Sequence, residues 1–136
     1  MPAMRNQRGR VALGAFLGIA TWAVVGSLGL LVLHTTWHTY ALAEPMKAYS
    51  TAMLFARLAV ACVACVAAGL IGARPAGAAG AWAAGTLLLV LSVPVHLVEV
   101  WADYPAWYHA AYLVLLVPVT GLAGLTVADS EEPTEF

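Results

Sequence analysis

Charged positions cut the chain into four long apolar stretches. Val11 to Leu33 is a run of 23 residues with no ionisable group, bounded by Arg5, Arg8 and Arg10 before it and His34 after it. Ala48 to Ala73 is interrupted by Arg57 alone. Arg74 and Glu99 are separated by 24 residues that include His96, and Asp103 and Asp129 by 25 that include His109. A helix needs about 20 apolar residues to cross a hydrocarbon core of about 30 Å. The runs are continuous rather than alternating, and too few to close a barrel of strands. The pattern therefore predicts four transmembrane helices over residues 11–37, 48–71, 80–102 and 106–127.

Short connections rich in helix breakers join these spans. Gly72-Ala-Arg-Pro-Ala-Gly-Ala-Ala-Gly80 and Asp103-Tyr-Pro-Ala-Trp107 are expected to end one helix and start the next. Such links favour neighbours running in opposite directions, so the expected fold is all-α, an integral membrane four-helix antiparallel bundle. Lys and Arg fix its direction. Arg5, Arg8 and Arg10 precede the first span and Arg74 lies in the second connection, whereas the opposite side holds only Lys47. By the positive-inside rule both termini are expected in the cytoplasm. Residues 1–10 then form a basic cytoplasmic segment and 128–136 an acidic cytoplasmic tail. Basic residues, an apolar run and Ala41-Leu42-Ala43 also fit a cleavable leader. The 23-residue run exceeds the 7–15 of a usual leader core, so it is read as an anchor.

Composition agrees with this placement. The 136 residues are 62% hydrophobic and 10% charged, with a formal net charge of −1, which leaves no surface for water. A multi-pass protein of the cell (plasma or inner) membrane follows, with the bilayer as its first partner. Six Lys and Arg exclude a basic nucleic-acid binder. Other membrane subunits or a second copy are the remaining partner classes. Small residues recur at helix-contact spacing: Gly14 and Gly18, then Ala61, Cys65 and Gly69, then Ala81 and Gly85. These suit close packing within the bundle. Cys62 and Cys65 form a CxxC, but its place in an apolar span favours packing over thiol chemistry.

The chemistry-bearing residues are His34, His38, Glu44, Arg57, His96, Glu99, Asp103 and His109. At a rise of about 1.5 Å per residue, all fall in the outer half of the membrane or just beyond it, with Arg57 about 10 Å inside. Ser92, His96, Glu99 and Asp103 share one helical stripe, as do Ser27, His34 and His38. Arg57, Ala61, Ala64 and Ala68 make another. Arg57 and Glu99 are expected to pair, because each needs a counter-charge in lipid.

That cluster has a purely structural reading, as glue between helices, and three functional ones. His34, His38, His96, Glu99 and His109 offer a nitrogen and oxygen set for a transition metal, or opposed imidazoles for a haem. Binding or acid–base work on a lipid-like or quinone-like molecule is the alternative. It would use Arg57, His96, Glu99, Asp103 and His109, with Trp37, Trp101 and Trp107 around an apolar slot. An accessory role in a larger membrane complex is the third. No nucleophile arrangement is visible, so catalysis is left undecided. Transport is disfavoured, because no polar stripe continues through the inner half.

Overall fold

The computed structural model describes residues 2–129, so most of the acidic tail lies outside the described residues. It is all helical, with no strand among the described residues. The long helices are α1 (Pro2–Thr36), α3 (Thr51–Ala76), α4 (Ala78–Pro94) and α5 (Ala106–Asp129), and α2 (His38–Ala43) is a short one after α1. Four stretches are long and apolar enough to cross a membrane: Asn6–Thr36, Thr51–Ala76, Ala78–Glu99 and Ala106–Val127. They overlap the four expected spans with shifts of a few residues at their ends.

Connections differ more than spans. The link between α3 and α4 was expected to be a loop over residues 72–80, yet helix continues through Pro75 to Ala76. Gly77 alone turns the chain, at φ 61° and ψ −154°, a backbone conformation open to glycine. The Arg10 guanidinium donates to the Pro75 carbonyl and satisfies one of the groups left open at that helix end. Between α1 and α3 the chain breaks at Trp37, forms α2, tightens into a 3-10 turn at Glu44–Met46 and passes a left-handed Lys47. Ser50 then caps α3 by accepting from the Met53 amide. Past Pro94 the third span widens into a π-helical turn, Val95–Glu99, closed by a hydrogen bond from the Val100 amide to the Val95 carbonyl.

α3 and α4 form the centre, each packed against the other and against both α1 and α5. Small residues set the spacing at one end. Gly14 lies against the backbone of Gly72 and Gly80, Gly18 against Ala68 and Ala84, and Gly124 against Ala81. Ala64, Cys65, Ala68, Ala81 and Ala84 are fully buried around them. Without a hydrophobic push between helices in lipid, close van der Waals contact of this kind holds a bundle together. The Gly14 and Gly18 pair is thereby used inside the chain. Cys65 packs with Leu88 and Leu116, and both cysteines are free thiols. Toward the other end the contact residues become large: Tyr40, Leu54, Leu58 and Tyr108. Helices close at the glycine end and spread by aromatic side chains at the other leave a space between them.

Candidate functional site

That space is a cavity of about 320 Å³ at the aromatic end. Each of the four spans supplies a wall. α1 gives Trp22, Gly26 and Ser27, and α3 gives Arg57, Ala61 and Ala64. The π turn gives Val95 and His96, while Tyr104 and, on α5, Tyr108 and Tyr112 close the remaining side. The stripe read from Arg57, Ala61 and Ala64 is thus the α3 wall. Ala23 and Ser27 are exposed at the rim, so the cavity opens sideways along α1.

Arg57 sits where a polar network reaches this cavity. Its Nη1–H donates to the hydroxyl of Tyr40, and Tyr49 Oη lies 3.5 Å from the same nitrogen. Its Cζ stands 5.1 Å from the Tyr49 ring centroid and 5.4 Å from that of Tyr104, within cation–π range. Burial holds the Tyr40 and Tyr49 hydroxyls above the ordinary tyrosine pKa, against the pull of Arg57, so both stay neutral. The nearest carboxylate is Glu44, whose Oε1 lies 4.0 Å from Arg57 Nη1 and whose Oε2 accepts from His34 Nδ1 at 2.6 Å. The expected Arg57–Glu99 pair is therefore not formed. Glu99 is exposed at the end of the π turn, and Glu44 reaches Arg57 from the connection between α1 and α3, where Tyr40 and Ala43 cluster with Met53 at the start of α3. Arg57 Nε is sealed from solvent with no hydrogen-bond partner, a donor left open at the cavity wall.

Two imidazoles meet on the far wall. His96 Nδ1 and His109 Nδ1 are 3.0 Å apart, and both residues are buried. His96 stacks on Tyr112 at a centroid distance of 4.2 Å and 22° between planes. His109 stacks on Trp101 at 4.8 Å and 16°. Its Nε2 lies 3.2 Å from the carbonyl oxygens of both Trp101 and Tyr104.

The eight ionisable residues read from the sequence thus divide. Arg57 and His96 line the cavity, and His109 stands behind His96. His34 and Glu44 form the outer part of the Arg57 network. His38, Glu99 and Asp103 are not part of the cavity wall. The five-residue metal set is not assembled: among the described residues no three His, Cys, Asp or Glu side chains gather around one point. The helix break at Trp37 is one reason, since it separates His34 from His38 and removes their i, i+4 relation. The other is the π turn, which takes Glu99 off the face that carries Ser92 and His96.

The expected tryptophan slot is also made differently. Trp37 packs on Tyr40, Trp101 on His109 and Trp107 on Phe55, while Trp22 is the cavity's tryptophan. Tyrosines make most of the cavity's aromatic wall instead. Tyr104, Tyr108 and Tyr112 stand at i, i+4 and i+8, a helical face that the sequence displays and that an inward reading would have found. Compared with known proteins, the chain matches no family model, no curated protein and no solved structure.

Proposed function

We propose that this chain is a multi-pass protein of the cell membrane that binds the head of a lipid-like or quinone-like molecule in the cavity between its four spans. One observation carries the reading: a fixed cation and an imidazole, Arg57 and His96, share a cavity otherwise walled by aromatic, aliphatic and small residues, with a lateral rim. Apolar walls with a few convergent polar groups are the usual make-up of a small-molecule site. In lipid, an ionisable residue facing a bundle interior is costly to keep and is the first place to propose a functional site. The metal or haem reading draws less from the geometry, since the histidine nitrogens nearest each other are bonded to one another.

The bundle is antiparallel in this proposal, with both termini in the cytoplasm and the cavity in the outer half of the membrane. Its support is the pairing of Gly14 with Gly72, Gly18 with Ala68 and Gly29 with Val60, where residue numbers rise along α1 as they fall along α3. Arg10 on Pro75 joins two basic segments at one end, as the positive-inside rule requires.

Mass spectrometry of molecules that stay with the purified protein tests the binding reading. Ala23→Phe would fill the rim from an exposed position and leave the helix contacts intact. The expected result is a co-purifying amphiphile in the natural protein that is lost from the variant at unchanged helicity. Retention of the same molecules by both proteins, or no bound amphiphile in either, overturns the reading.

A further inference from the structure

Hydrogen bonds around the two buried imidazoles decide which nitrogens carry protons. His109 Nε2 lies 3.2 Å from two carbonyl oxygens, which only accept, so this nitrogen carries its hydrogen and donates to them. A neutral imidazole has one N–H, which leaves His109 Nδ1 with a lone pair. His96 Nδ1, 3.0 Å away, must then be the donor between the rings. His96 Nε2 is left with a lone pair, has no hydrogen-bond partner among the described residues, and belongs to a residue of the cavity wall. Stacking on Tyr112 and Trp101 holds both rings in these orientations. The ionisable groups packed around His96 are Arg57 from α3, Tyr104 before α5, and Tyr108, His109 and Tyr112 on α5. Among the described residues α1 adds no ionisable group to the wall, and no carboxylate lines it. Arg57 already supplies a positive charge there, so the uncharged histidine pair is the state that fits.

Resting on the binding reading above, we propose that the His109–His96 pair makes the cavity selective for hydroxyl-bearing aromatic heads of the hydroquinone or phenol class. One hydroxyl donates to His96 Nε2, and an oxygen elsewhere on the ring accepts from Arg57. A head of the same shape with only carbonyl or ether oxygens sets an acceptor against the His96 lone pair, and both are left unpaired. A site built to bond a hydroxyl rejects analogues lacking one far more strongly than an apolar pocket rejects a missing methylene. Tyr108, Tyr112 and Trp22 supply flat walls for a planar ring.

Three probes with the same alkyl tail make the test: a decyl benzohydroquinone, the matching quinone, and the di-O-methyl ether of the hydroquinone. Each is titrated without oxygen into the protein in lipid nanodiscs, with Trp fluorescence as the signal. The hydroquinone is expected to bind at least about tenfold tighter than the other two. In His109→Leu the His96 Nδ1–H loses its acceptor and the ring is free to change tautomer, so the preference over the quinone falls toward unity. Should that variant fail to fold, the imidazole ¹⁵N spectrum of the natural protein reads the tautomer directly, and His96 found protonated at Nε2 overturns the proposal. Equal binding of all three probes overturns the hydroxyl preference and leaves the binding reading standing. Binding of none overturns the proposal for hydroxyl-bearing aromatic heads, and the molecules that co-purify with the natural protein decide the binding reading.

Discussion

A guanidinium in the hydrocarbon layer costs about 2.5–3.5 kcal/mol on insertion scales, so the groups around Arg57 decide whether the bundle tolerates it. Tyr40 is fully buried and accepts from Arg57, and the nearest carboxylate, Glu44, stands at the 4.0 Å limit of an ion pair. Most of the compensation is therefore hydroxyl and aromatic rather than ionic. Tyr40→Phe keeps the ring and removes the acceptor, leaving a partly buried cation short of a bond. That should destabilise by about 1–3 kcal/mol. Glu99→Gln changes an exposed side chain with no partner among the described residues and should stay within about 0.5 kcal/mol of the natural protein. Reversible unfolding in mixed micelles measures both. Equal losses would mean that Arg57 leans on Glu99 after all. Charge demand was legible in the sequence, because any Arg in a span needs company. Which carboxylate answers it was not, since that depends on a helix break at Trp37 which the apolar pattern does not mark.

Element by element, two kinds of feature position the cavity: glycines that close one end and a π turn that reshapes the other. A methyl group at Gly69 would collide with the Thr120 carbonyl of α5, whereas one at Gly9 meets open space. Backbone cannot retreat as a side-chain tip does, so Gly69→Ala must push α3 from α5 and should cost about 1–3 kcal/mol. Gly9→Ala should instead be neutral or stabilise by up to about 1 kcal/mol through helix propensity. The same unfolding measurement separates them, and indifference at Gly69 would refute the packing described here. Spans were readable because run length against membrane thickness is a one-dimensional quantity. The phase of Glu99 was not. A π turn advances fewer degrees per residue than an α-helix, so a stripe counted at α spacing holds from Ser92 to His96 and fails beyond. Pro94 was the available signal, and a proline reports a disturbed ladder without saying which way the ladder relaxes.

For the whole molecule, the proposed site depends on which side of the membrane it faces. Arg10 meets Pro75, so the start of α1 and the turn between α3 and α4 share one end, and Arg8 and Arg74 lie beside them in sequence. Lys47 and the aromatic network belong to the connection between α1 and α3, one span length away along either helix. An excess of Lys and Arg in short flanks keeps those flanks in the cytoplasm. Lys47 and Ala79 are both exposed, which makes Lys47→Cys and Ala79→Cys suitable reporters in a chain whose own Cys65 is buried and whose Cys62 is replaced by Ser. A membrane-impermeant maleimide added to intact cells should label Lys47→Cys at once and Ala79→Cys only after the membrane is opened. Labelling in the reverse order would turn the bundle over, place the cavity in the inner half, and make any amphiphile it holds one delivered from the cytoplasmic leaflet. Labelling of both from outside would mean that α3 does not cross, and with it the shared cavity wall from Arg57 to Ala64 would be lost.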